Sequence, residues 1–219
     1  MVYKLGMLKK LYVSSILVIL YASLSYADKC VEGDCENGYG TVNFDSGSYY
    51  IGEFKNNTYD GYGTFYDANE DIRFTGKYMG GSELEGELFY HRSGNKYTGQ
   101  FKFMSIPRAQ FHGFGRYYWG NNQDEYVGEW KDGQPHGYGT LTLVSEDQVY
   151  SGEWINGKRK GEGITINIEI FTGGFRDNMI DIYVGGYSND KKNGKGIIYS
   201  PSGRIIDSGI FKDGIGPNQ

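Results

Sequence analysis

From about residue 37 onward, large apolar side chains do not cluster in runs. They alternate with small and polar ones. In Tyr126-Val127-Gly128-Glu129-Trp130 two aromatics flank a glycine. A strand period of two puts Tyr126, Gly128 and Trp130 on one face, with Val127, Glu129 and Lys131 on the other. Lys131 to His136 then supply turn chemistry, with Gly133 free to take a positive φ. Gly137 and Gly139 open a returning strand that runs into Thr140 and Thr142. The unit predicts a β-hairpin.

The same phrase recurs along the chain. Copies start at Tyr50, Phe74, Tyr97, Tyr126, Tyr150, Phe171 and Tyr183, with a fragment at Asp207 and a half copy from Asn37. The intervals are 24, 23, 29, 24, 21, 12 and 24 residues. The interval of 12 is half a unit, so the copy at Phe171 is expected to lack its second strand. Glycine inside a strand is kept where another group must lie against the backbone. The expected occupants are the repeat aromatics Tyr50, Phe54, Tyr97, Phe101, Tyr126, Trp130, Tyr150 and Trp154. A single hairpin cannot bury such a face, but a stack of them can.

Composition agrees with this pattern. Gly is 35 of 219 residues, Tyr 21 and Phe 12, against 4 Pro. Such a chain is all-β with many tight turns, and its aromatics can bury enough surface to escape disorder. The first 27 residues differ: Lys4, Lys9 and Lys10 border the apolar stretch at 11–20, and Ser25-Tyr26-Ala27 resembles a cleavage site. A secretory signal peptide over 1–27 is expected, with an uncleaved anchor and a start at Met7 left open. Residues 28–36 then form a Cys-containing cap and 37–219 the repeat array. Cys30 and Cys35 are the only cysteines, and an exported chain favours a disulfide between them. Net charge is −5 for the whole chain and −8 without the leader. Residues 28–149 carry −9, whereas the remainder from Tyr150 carries +1. This acidity argues against nucleic acid, whose binding rests on Lys and Arg.

"YVGEWKDGQPHGYGT" and "YSGEWINGKRKGEG", with looser copies at 50, 74, 97, 171 and 183, resemble the MORN repeat (membrane occupation and recognition nexus). The likeness covers nearly everything from Asn37 to Gly214. It implies an elongated, single-layer antiparallel sheet of stacked hairpins with an aromatic groove. About 15 strands would make a rod near 70 Å long. "CVEGDCENGYGT" also looks like the start of exported bacterial MORN proteins. Two copies depart from the pattern. The one at Phe74 ends in Gly86-Glu87-Leu88-Phe89 without a second glycine, and the one at Tyr97 has a longer, apolar turn around Phe103, Met104 and Ile106. That turn is a candidate partner loop.

No catalytic constellation emerges. Gly152 to Lys158 mimics a phosphate loop, but Arg159 stands where Ser or Thr is needed. His112 and His136 recur in equivalent turns, too far apart to share a metal. Glu53, Glu129 and Glu153 recur at one repeat position and read as a solvated face, while the acidic clusters at 67–71, 121–125 and 145–148 match no calcium loop. Two basic clusters, Lys158-Arg159-Lys160 and Lys191-Lys192 with Lys195, are placed in turns on one side of the ribbon, as candidate contacts to lipid head groups. The resemblance implies a non-catalytic interaction scaffold that binds a protein partner or a membrane surface. Binding of glycan or cell wall through the aromatic groove is the alternative. No cofactor or metal is expected, the oligomeric state is open, and export points to the periplasm, cell surface or medium.

Overall fold

The computed structural model describes residues 29–102, 110–167 and 181–218. The expected signal segment therefore lies outside the described residues, as do Phe103, Met104 and Ile106 and the copy at Phe171. The described residues form a single antiparallel sheet of fifteen strands, ordered as they occur in the chain. The first eight are β1 Lys29–Gly33, β2 Tyr39–Asn43, β3 Tyr49–Lys55, β4 Thr58–Tyr66, β5 Ile72–Met79, β6 Ser82–Tyr90, β7 Asn95–Lys102 and β8 Gln110–Tyr118. The rest are β9 Glu125–Lys131, β10 Gln134–Leu143, β11 Gln148–Ile155, β12 Lys158–Asn167, β13 Ile182–Ser188, β14 Lys191–Tyr199 and β15 Ile205–Phe211. At about 4.8 Å per strand the sheet extends about 70 Å.

The hairpin β9–β10 shows how the phrase folds. Asp132 and Gly133 alone make the turn, with φ of 52° and 80°, the hand that matches strand twist. The turn is thus shorter than the six residues expected, and Pro135 already sits in β10 opposite Trp130. Gly137, at φ 61°, lies in the register shift between Pro135 and Gly139. A side chain would strain that conformation, which glycine adopts freely. Glu129 braces the irregularity by accepting the Tyr138 N–H at 2.9 Å. Glu53 does the same for Tyr62 and Glu153 for Glu162, at 3.0 and 3.2 Å. In β7–β8 Gln100 takes the role, accepting from Phe114 at 3.1 Å. These carboxylates hold the backbone and are more than a solvated row.

The second glycine of each pair has another task. A Cβ on Gly139 would lie 2.2 Å from the Tyr126 hydroxyl, because the ring lies flat across the Gly128–Gly139 pair. The hydroxyl donates to the Glu129 carbonyl at 3.0 Å. Burial pushes the phenol well above its ordinary pKa, so it stays a donor. Register then repeats this arrangement across the whole sheet. Each strand contributes one glycine paired with the glycine of the next, from Gly33 in β1 to Gly209 in β15. A band free of side chains crosses every strand at right angles, and the tyrosines lie down in it.

This explains how one layer buries a core. A sheet ordinarily needs a second layer over its apolar face. Here the rings fold onto the glycine band and onto each other. Tyr126 meets Trp130 of its own hairpin edge-on at 5.0 Å and Trp154 of the next at 5.2 Å. The same alternation runs from Phe54 and Tyr50 through Tyr97, Tyr150 and Tyr183 to Phe211. Each edge-to-face pair adds about 0.5–1.5 kcal/mol beyond the area it buries. The indole N–H groups join hairpins as well: Trp130 donates to the Gly115 carbonyl and Trp154 to that of Gly139, both at 3.1 Å.

Both ends of the band are covered. Cys35 forms a disulfide with Cys30, and its sulfur lies 2.7 Å from the position a Cβ on Gly40 would take. At the far end Pro217 sits 2.9 Å from the equivalent point on Gly209, while Asn218 donates to the buried Asp207 at 2.6 Å. β12 pairs directly with β13 from Gly161–Tyr187 to Ile166–Ile182.

Candidate interaction surface

The repeat aromatics do not form an open groove. Tyr50, Tyr97 and Tyr126 are fully buried, and Phe54, Phe101, Trp130, Tyr150 and Trp154 nearly so. A sugar needs an uncovered ring face to stack on. The inner face offers none of these rings, so the expected aromatic groove for glycan is closed.

Between the rings lies a position that changes from hairpin to hairpin. Tyr59, Glu83, Phe111, Pro135, Arg159 and Lys192 each stand opposite the second aromatic of their hairpin. Phe111 stacks on Tyr97 with ring centroids 3.9 Å apart. Arg159 takes the same place over Tyr150 and Tyr187, at 5.4 and 5.5 Å. Its guanidinium donates to the Asp190 carbonyl at 2.8 Å and to Gln148 at 3.3 Å. Arg159 is therefore a packed residue and not an exposed turn cation. Lys192 lies 4.7 Å over Tyr183, and burial lowers its pKa. Glu83 has no counterpart in the expectations drawn from sequence. Burial raises its pKa to about 8.

Lys158, Lys160, Lys191 and Lys195 remain exposed. They lie within strands β12 and β14 and not in turns. Alternation with the inward Arg159, Gly163 and Gly196 directs them to the outer face. That face changes character along the sheet. At its centre it is polar and self-paired: Arg73 meets Glu87 at 3.2 Å, Lys96 meets Glu87 at 3.4 Å, and Thr140 donates to Ser151 at 3.1 Å. Over β12 to β15 it becomes aliphatic. Ile164 pairs with Val184 and Val184 with Ile197, with Ile166 and Ile182 beside them. Ile164, Val184 and Ile210 are exposed.

The outer face also carries rings that sequence reading passed over. Tyr39, Tyr62, Phe114 and Tyr138 each stand between the two glycines of a hairpin and are 60–65 % exposed. Their signal in the sequence is a recurrent Gly-aromatic-Gly. The acidic loops hold backbone N–H groups: Asp67 accepts that of Ile72 at 2.8 Å, Asp71 that of Arg92 at 3.0 Å, and Asp124 that of Val144 at 2.8 Å. Among the described residues no group of three or more His, Cys, Asp or Glu is arranged to hold a metal ion.

The MORN repeat model matches residues 50–72, 109–123, 126–148, 150–166 and 183–203. These stretches are similar to the MORN repeat. Four of the matches begin on the tyrosine whose ring covers a glycine pair: Tyr50, Tyr126, Tyr150 and Tyr183. MORN repeats are in general involved in protein or membrane binding, and proteins built from them are in general non-catalytic scaffolds. The β5–β6 hairpin lies between two matched MORN stretches and keeps the same fold, with Phe74 across the Gly76–Gly86 pair. No curated protein matches the chain.

Proposed function

We propose that this MORN protein is exported, with cleavage after Ala27, and serves as a non-catalytic scaffold on an anionic membrane surface. The outer face of β12 to β15 makes the contact. One observation carries the reading: an aliphatic surface, Ile164, Val184, Ile197 and Ile210, bordered by the exposed Lys158, Lys160, Lys191 and Lys195. Apolar side chains enter the head-group boundary while each lysine near an anionic surface adds about 1 kcal/mol. The repeats carry no chemistry of their own in this reading, since their invariant groups are spent on packing.

Co-sedimentation of the processed chain with anionic and neutral vesicles, at low and high salt, tests it. Binding to anionic vesicles that fades with salt is the expected result. Val184→Ser should weaken it, and Lys191→Gln with Lys195→Gln should remove most of its salt dependence. Absence of sedimentation with either lipid would overturn the reading. Sequencing the N-terminus of exported material checks the cleavage site separately.

A further inference from the structure

The central outer face carries a second surface with the opposite charge. Phe114 in β8 pairs with Glu129 in β9, and Tyr138 in β10 pairs with Glu153 in β11. Glu162 in β12 closes the row beside Glu153, whose carboxylate accepts its N–H. Ring and carboxylate thus alternate along a line that crosses the strands, about 5 Å from one to the next and about 10 Å from ring to ring. The first hairpins repeat the arrangement with Tyr39, Glu53 and Tyr62.

Several properties of this row point to a ligand and say which. Among the described residues Tyr39, Tyr62, Phe114 and Tyr138 are the exposed aromatics, whereas the other rings are buried or half-buried. The carboxylates are held in place: Oε1 of Glu129 and Oε1 of Glu153 each accept a backbone N–H, leaving the second oxygen of each for another donor. Among the described residues Glu129, Glu153 and Glu162 make no salt bridge, whereas the neighbouring Glu87 and Glu125 do. Residues 28–149 carry net charge −9, so anionic ligands are repelled.

We propose that the row Phe114–Glu129–Tyr138–Glu153–Glu162 grips an Arg- and Lys-bearing extended segment of a partner protein. An arginine stem lies along a ring face while its guanidinium meets the neighbouring carboxylate, joining cation–π contact to a charge-assisted hydrogen bond. Side chains on one side of an extended segment recur about every 7 Å, and long basic side chains span the difference from the row. The row breaks at Lys77 in β5 and turns positive at Lys195 in β14, so the partner is confined to β8–β12 and separately to β2–β4. This surface is distinct from the aliphatic one, and either can fail alone.

Fluorescence anisotropy with the purified protein and a short labelled peptide of alternating Arg and Ser tests the proposal. Peptides alternating Glu and Ser, or Gln and Ser, serve as controls, along with a neutral β-linked oligosaccharide. The expected result is binding of the Arg peptide alone, weakened by salt. Phe114→Ala and Tyr138→Ala should each reduce affinity about tenfold, with Lys195→Gln unchanged. Glu129→Gln should reduce affinity while keeping the backbone brace, as Gln100 shows in β7. Circular dichroism and Tm should stay unaltered in all of these variants. Equal binding of the Gln and Arg peptides, binding of the oligosaccharide in their place, or no binding at all would overturn it.

Discussion

Tyr126 and Tyr138 belong to the same hairpin, yet one is 0 % exposed and the other 65 %. Tyr126 points inward, lies on Gly139 and spends its hydroxyl on the Glu129 carbonyl. Tyr138 points outward, and its backbone N–H donates to the Glu129 carboxylate. The two faces of this sheet obey different rules. The inner face repeats because the glycine band and the rings above it must match from strand to strand. The outer face is fixed where Glu53, Glu129 and Glu153 brace the backbone and is free to vary elsewhere. Rings that recur under cover mark stability here, and rings that recur in the open mark what the protein can recognise.

The largest expected break in this comparison comes from the inner face. Trp130→Ala removes a buried ring and its bond to Gly115, and should cost about 3–5 kcal/mol in urea unfolding. Gly139→Ala should cost about 1–3 kcal/mol or more, since the new Cβ meets the Tyr126 ring.

Glu83 gives a pH-dependent test of similar rank. Burial raises its folded pKa to about 8, from an ordinary carboxyl value of 4.5. Between those values the folded state holds a proton that the unfolded state has released. Stability therefore falls as pH rises through this window and levels off above about 8. Glu83→Gln should stabilise the protein clearly at pH 9 and hardly at pH 5. A stabilisation that is equal at both pH values would show that the carboxyl is not buried as described.

Smaller effects sharpen the boundary between the faces. Glu129→Ala should cost about 1 kcal/mol by freeing the Tyr138 N–H from its acceptor. Glu129→Gln should cost almost nothing in stability, because Gln100 already performs this task in β7–β8. Chemical denaturation of the two variants side by side separates the brace from the charge.

Much of the inner face was legible in the sequence. A period of two assigned Tyr126, Gly128 and Trp130 to one side correctly, because alternation alone decides the side. The number of strands followed from the repeat. Other features depended on register, which no single strand carries. Lys158-Arg159-Lys160 looks like a solvated turn until Arg159 is seen opposite Trp154, in the position that Phe111 fills elsewhere. Pro135 and His136 look like turn residues, but Asp132 and Gly133 suffice to reverse the chain. The outer rings were visible as Gly-Tyr-Gly, but their exposure follows only once the glycines beneath the inner tyrosines fix which side is out.

Urea unfolding of Tyr126→Ala beside Tyr138→Ala tests the central claim most directly. The same side chain is removed from the two faces of one hairpin. The account predicts a loss of about 3–5 kcal/mol for Tyr126→Ala and a change within about 0.5 kcal/mol for Tyr138→Ala. Comparable losses for the two would contradict it, since the outer rings would then be part of the core and not a surface left free for a partner.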